Sequence, residues 1–215
     1  MLDLNLSVNV ISDVICPWCY IGKRRLEKAV AALNGSHEVR VCWLPFQLNP
    51  QMPKEGISRR DYRTNKFGSW ERSQALDAQV AEAGAAEGIH FAFDLIERTP
   101  NTLDAHRLIW LADQEGVQDK VVEALFRAYF TDGGNINDRQ TLLDVVADAG
   151  LNRRKAEAML NSDEGMEAIK EAEELSRRHL VEGVPFFVIN GRVTLSGAQP
   201  PEAFLTAFTQ SFSSQ

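Results

Sequence analysis

The chain is poor in cysteine. Three cysteines in 215 residues are too few for a disulfide framework, and only Cys16 and Cys19 stand close together. A zinc site needs four ligands, usually from a second Cys-x-x-Cys or a His-x-x-x-His. Neither is present, because Cys42 is alone and His37, His90, His106 and His179 are scattered, so no metal site is expected. Positive charge is also short: 23 Lys and Arg against 30 Asp and Glu leave a net charge of −7, the wrong sign for nucleic acid or an anionic membrane. Met1-Leu2-Asp3-Leu4-Asn5 lacks the basic and apolar regions of a signal peptide. No run approaches the roughly 18 apolar residues of a membrane span. The expectation is a cytoplasmic protein without nucleic-acid or membrane partners. Internal repeats, low-complexity tracts and a second cysteine pair for a longer thiol relay are absent too. At 44% hydrophobic residues, the chain can bury a sizeable core as one large domain or a domain with an insertion.

What is present is Cys16-Pro17-Trp18-Cys19, between an apolar strand (4–15) and an amphipathic helix carrying Ile21, Leu26, Val30 and Leu33. Two thiols two residues apart at a helix start can close into a small disulfide ring. Free N–H groups and the helix dipole there favour an anion, and the thiolate is the form that attacks disulfides. Pro17 fits the first helical position, where its missing N–H costs nothing. Cys16 reads as the attacking sulfur and Cys19, one turn inside, as the resolving one. The competing reading is a pair of buried, inert cysteines. Lys23, one turn beyond Cys19, adds positive potential near the thiolate, or else belongs to a solvated face with Arg24, Arg25 and Lys28. Asp13 is a candidate proton relay for Cys19, or a loop carboxylate.

Val39 to Leu44 alternates as a second strand, which makes a right-handed βαβ unit with parallel strands; Cys42 within it reads as a buried small hydrophobe. Pro45, Pro50 and Pro53 then interrupt regular structure. From about Ser58 helix follows helix: 70–88, a segment opened by Thr99-Pro100-Asn101-Thr102, 117–131, 138–150, 153–160 and 163–181, with a short extended stretch at 89–93. Glu182 to Ile189 gives a third strand opened by a proline, Asn190-Gly191 a type I′ turn, and Arg192 to Ser196 an antiparallel fourth strand. A last helix runs from about Pro201 to Phe212. The order is β-α-β, helical block, β-β-α.

With the helical block set aside, that order is the thioredoxin arrangement, and three features carry a closer resemblance. Cys16-Pro17-Trp18-Cys19 follows strand one within Asp13-Val14-Ile15-Cys16-Pro17-Trp18-Cys19-Tyr20-Ile21-Gly22-Lys23. Gly183-Val184-Pro185 opens strand three. Phe46-Gln47-Leu48-Asn49-Pro50, Val188-Ile189-Asn190-Gly191 and Ser196-Gly197-Ala198-Gln199 complete the pattern. The chain resembles the DsbA family, in its FrnE-like branch, over essentially its whole length. The resemblance implies an α/β, thioredoxin-like fold with a large all-helical insertion: residues 1–57 and 182–215 as one discontinuous domain, 58–181 as the insertion.

It further implies a thiol–disulfide oxidoreductase or disulfide isomerase with Cys16 as nucleophile, Cys19 as resolving thiol and a redox-active Cys16–Cys19 disulfide. Pro17 and Trp18 support the site, together with a cis-proline loop at Val184 and Pro185 that turns the Val184 backbone toward substrate. Residues expected to meet substrate are Trp43, with Phe46, Asn49, Asn101, His106, Ser196 and Gln199; core packing is the competing reading for Trp43 and His106. The substrate would be a protein or small-molecule thiol or disulfide. No bound cofactor is implied, glutathione would serve as a co-substrate, and a homodimer is compatible with the resemblance. Glutathione-dependent relatives, kappa-class transferases and 2-hydroxychromene-2-carboxylate isomerases, carry Ser at the first motif position and an acidic residue in the stretch matching 196–199. This chain has Cys16 and no carboxylate there. The remaining alternative is a thioredoxin-like binding protein without turnover, for which two cysteines would be superfluous.

Overall fold

The computed structural model describes residues 5–35, 37–178 and 181–213. A four-stranded sheet forms from β1 (Leu6–Ser12), β2 (Val39–Pro45), β5 (Phe186–Ile189) and β6 (Val193–Ser196), in the order β2-β1-β5-β6. β1 runs parallel to β2, with Leu6 opposite Val39 and Ser12 opposite Pro45. It runs antiparallel to β5, with Val8 opposite Ile189 and Ile11 opposite Phe186. β5 and β6 form the expected hairpin, and Asn190 and Gly191 both take positive φ, 48° and 66°, as a type I′ turn demands. Asn190 is held in place because its side chain accepts from the Ser7 N–H at 2.9 Å and donates to Ser211 at 2.9 Å.

The central strand β1 alternates as the sequence suggests: Leu6, Val8 and Val10 are buried, while Ser7 and Asn9 lie outward. It stops at Ser12, so Asp13 to Ile15 form a connecting turn rather than strand, and the predicted start at Leu4 lies outside the described residues. α1 (Pro17–Ala32) follows, ended by Asn34 and Gly35 at positive φ. α9 (Pro201–Ser213) packs on β5, β6 and α1.

Between β2 and β5 come β3 (Ile57–Ser58), α2 (Arg59–Phe67), α3 (Trp70–Ala85), β4 (Arg98–Thr99), α4 (Leu103–Gln114), α5 (Gln118–Phe130), α6 (Arg139–Asp148), α7 (Arg153–Leu160) and α8 (Met166–Arg178). Ser58, Ser69, Asp138 and Asn152 each cap a helix by accepting a backbone N–H, the usual role of such residues. Two details differ from the sequence reading. Residues 89–93 form no strand; Ala92 N–H bonds the Phe130 carbonyl at 2.8 Å, and the rings of Phe91 and Phe93 pack on Phe130. Cys42 is only half-buried, because β2 is an edge strand of the sheet.

Most of the apolar interior forms one cluster, with a smaller one of Ile11, Phe46 and Val181 beside it. The larger cluster joins Val8 and Ile21 of the βαβ unit, Phe187 and Phe204 of the C-terminal part, and Leu108, Leu125 and Phe126 of the helical block. Its seam is aromatic: Tyr20 of α1 stacks on Phe126 of α5 at 5.0 Å, and Trp43 of β2 meets the same ring edge-on. α1, which carries the two thiols, is thereby fixed between the sheet and the helices.

Candidate active site

β1 ends at Ser12, the turn passes Asp13, and Cys16 arrives as the N-cap of α1 with extended backbone (φ −94°, ψ 109°) and no side-chain capping bond; Pro17 occupies the first turn. Cys16 thus stands at a helix start, whose free N–H groups and dipole favour an anion. Both cysteines are free thiols. Cys16 keeps a small exposure of 5%, while Cys19 has none.

The Val184–Pro185 peptide is cis, and the loop lies against the thiols: Cys16 Sγ donates to the Val184 carbonyl at 3.4 Å. The loop is held from two sides. Gly197 N–H bonds the Pro185 carbonyl at 2.8 Å, so the turn after β6 supports the proline. Gly22 of α1 supplies the other support, since a Cβ there would stand 3.1 Å from both Pro185 Cγ and Phe187 Cζ. Only glycine lets the helix approach this closely without displacing them.

Burial pushes the Cys19 thiol well above its ordinary value, reinforced by its hydrogen bond with Cys16 and by negative charge there; the Ser12 hydroxyl and the Asp13 backbone pull weakly the other way. Cys19 therefore holds its proton well beyond the pH at which an ordinary thiol releases it. Asp13 is fully buried, accepts the Leu48 N–H through Oδ2 at 2.8 Å, and faces His106 through Oδ1.

The remaining predicted residues fall in several places. Lys23 is buried, with its ammonium among Glu27, Asp119 and Glu123. Burial alone would lower Lys23, but Asp119 and then the two glutamates raise it on balance. Its charge is spent on three carboxylates and is not directed at the sulfurs, which corrects the expected positive potential near the thiolate. Trp43 is buried and stitches β2 to α5: its N–H and carbonyl bond Gln118, and Nε1 donates to Asp119 at 3.0 Å. Phe46 is buried beneath Arg177. Asn101 donates to the Met52 carbonyl at 2.7 Å and accepts the Leu103 N–H at the start of α4. His106 is buried against Asp13. These four side chains serve packing and do not line the cleft beside the motif. Asn49 accepts the Tyr62 hydroxyl at 2.8 Å near that cleft. Ser196 ends β6, and Gln199 folds back to donate to its carbonyl at 2.7 Å, which places both in the turn behind Pro185.

The cleft itself, about 330 Å³ between α1, α2 and α3, starts at Ile15, Pro17 and Trp18. Sequence reasoning missed its far wall of Arg59, Arg63 and Lys66, although basic residues at i, i+4 and i+7 of one helix share a face. Among the described residues no group of three or more His, Cys, Asp or Glu side chains is arranged to hold a metal ion.

Comparison with known proteins bears on this arrangement. A family model described as a DSBA-like thioredoxin domain matches residues 7–209. A Streptomyces coelicolor structure described as a probable DsbA oxidoreductase is 33% identical and superposes with a TM-score of 0.89, covering 98% of this chain and 92% of that one. The cytosolic disulfide reductase DsbM of Pseudomonas aeruginosa, in a structure with GSH, is similar at 21% identity and a TM-score of 0.64, over 95% of this chain and 99% of its own. A 2-hydroxychromene-2-carboxylate isomerase is similar at 16% identity and a TM-score of 0.71, over 95% of each chain. The last two likenesses carry the fold alone.

Proposed function

The chain belongs to the DSBA-like thioredoxin domain family, and on that premise we propose that it is a thiol–disulfide oxidoreductase exchanging disulfides through Cys16 and Cys19. The observation that carries this reading is the pairing of a helix-capping thiol with a buried one, closed over by the Val184–Pro185 loop. In the reducing direction, the Cys16 thiolate attacks a substrate disulfide, forming a mixed disulfide and expelling one thiolate. Cys19 then gives up its proton and attacks the Cys16 sulfur. The second substrate thiolate leaves and a Cys16–Cys19 disulfide remains. Oxidation of a substrate dithiol is the same path in reverse.

The division of labour follows from burial. Cys16 is reachable and Cys19 is not, so attack begins at Cys16, and Cys19 acts only on a sulfur already bonded to its neighbour. Pro17, Trp18, Val184 and Pro185 frame the approach, with Val184 offering backbone to a bound chain. Glutathione is the co-substrate that we assign to this site. In a cytoplasmic setting, a glutathione pool would draw the exchange toward reduction.

The test is a pair of variants and a potential. Cys16→Ser should lose disulfide exchange, while Cys19→Ser should accumulate mixed disulfides with substrate. Equilibration in glutathione buffers should show a reversible two-electron transition that Cys19→Ser abolishes. Turnover retained in Cys19→Ser, with no measurable Cys16–Cys19 pairing, would instead favour glutathione-dependent isomerase chemistry, which needs a single nucleophilic position.

A further inference from the structure

The cleft beside Trp18 carries a charge that the exchange reaction does not require. Arg59, Arg63 and Lys66 line it from α2, and Asp77 of α3 is the single carboxylate among its lining residues. Asp77 is shared by two guanidinium groups, at 2.6 Å from Arg59 and 2.5 Å from Arg63. Lys66 donates to the Tyr62 hydroxyl at 2.8 Å and stands over the Tyr62 and Phe67 rings. Three cations against one carboxylate leave an excess of two positive charges, in a chain whose net charge is −7.

The rest of the wall is apolar. Trp18, with 40% of its surface exposed, Leu48, Phe67 and Phe93 contribute to it. A half-enclosed cleft with low-dielectric walls concentrates the field of its charges. The arginines are also pre-set: Asp77 fixes both, and Ser73 accepts from Arg63 Nε at 2.7 Å, so little ordering is needed when a ligand arrives. The volume, about 330 Å³, lies at the lower end of the range for small-molecule sites and is too small for a folded partner.

We propose that this cleft takes the acidic, apolar body of a low-molecular-weight disulfide, so that the preferred small substrates of the Cys16–Cys19 pair are anionic. The proposal rests on the oxidoreductase reading and names its substrate class. The acidic group meets the Arg63–Lys66 side, the apolar part lies against Trp18, and the disulfide reaches Cys16 past Pro17. The overall step balances as enzyme dithiol plus substrate disulfide, giving enzyme disulfide plus two substrate thiols.

The test uses two aromatic disulfides, 5,5′-dithiobis(2-nitrobenzoate), which is anionic, and 4,4′-dithiodipyridine, which is neutral. Second-order rate constants are measured for the reduced full-length protein by stopped flow. Lys66→Gln, at an exposed position, should lower the ratio of anionic to neutral rate constants about fivefold, the scale of one lost charge contact. Lys170→Gln, on exposed α8, should leave that ratio unchanged. Using the ratio cancels the intrinsic reactivity of each probe. An unchanged ratio in Lys66→Gln overturns the proposal, as does an equal drop in Lys170→Gln, which would report the overall field rather than the cleft. A disulfide-linked acidic peptide reacting faster than the small anionic probe, with the same Lys66 dependence, would reassign the cleft to protein substrates and overturn it as well. If Cys16 reacts with neither probe, the oxidoreductase reading itself fails, a result distinct from an altered ratio.

Discussion

Asp13 Oδ1 and His106 Nε2 lie 3.3 Å apart, both side chains buried, yet out of line for a hydrogen bond with each other. One belongs to the turn that delivers Cys16, the other to α4 of the helical block. The backbone of Asp13 also touches the Cys19 thiol. This contact couples the two parts of the chain directly behind the resolving cysteine.

A double-mutant cycle should expose that coupling. Asp13→Asn and His106→Leu should each shift stability by about 1–3 kcal/mol, because each alters the surroundings of a buried polar atom whose nearest polar neighbour is the other side chain. The double variant should depart from the sum, with a coupling of about 1 kcal/mol. Urea unfolding midpoints of the four proteins decide it; strict additivity would mean that the proximity carries no energy.

Gly22 offers a second test. Valine there must push against Pro185 and Phe187, and overpacking of this kind costs about 1–3 kcal/mol. Alanine should be near neutral, because the helix-propensity gain of about 1 kcal/mol offsets the tight contact at 3.1 Å. Thermal melts of both variants, with the rate of thiol exchange alongside, test the cis-proline packing separately from the chemistry.

The raised Cys19 thiol has a pH signature. In Cys16→Ser, burial remains the dominant cause. The unfolded chain releases the Cys19 proton near the ordinary value of 9.0, whereas the native chain holds it. The native state therefore binds more protons above that pH, and stability falls as pH rises through and beyond 9. Thiolate absorbance at 240 nm should stay low in the folded variant over the same range. Ionisation at or below 9 would refute the buried assignment.

Glu123 should behave oppositely. Burial would raise its carboxyl, but the Arg24 hydrogen bond, the Lys23 charge and the Tyr20 hydroxyl outweigh it and hold the group below its ordinary 4.5. Its contribution is complete above that value and is lost as the pH falls through the lower native one. The stability difference between the wild type and Glu123→Gln should be on the order of 1–2 kcal/mol at neutral pH and shrink below about pH 4.5. Chemical denaturation between pH 3 and 7 reads it.

Much of the fold was legible because its signals are local. Alternation marks β1, Pro17 marks the start of α1, and Asn190-Gly191 marks a turn whose backbone is left-handed at both residues. Ser58, Ser69 and Asp138 are helix caps that can be read by type. What was not legible depends on partners far along the chain. Lys23 looked like a cation near the thiols until Asp119 and Glu123, about a hundred positions away, took up its charge. Phe91 and Phe93 looked like strand residues, but they pack on Phe130 of a helix. The ladder between Ile57–Ser58 and Arg98–Thr99 is too short to leave a periodic trace. The cleft charge was hidden for the same reason, since Arg59 and Arg63 are defined by an aspartate on another helix.

The pairing of Val8 with Ile189 joins residues 181 positions apart, 189 − 8. A ribosome releases the chain from its N-terminus, so β1, α1 and both thiols emerge long before β5 and the proline that closes over them. Until Val184 emerges, 165 positions after Cys19, 184 − 19, β1 has one bare edge and Cys16 lacks its Val184 neighbour. The nascent chain therefore carries its two thiols without that loop while the helical block is being made. The cover over the pair is supplied only after the whole helical block has been translated.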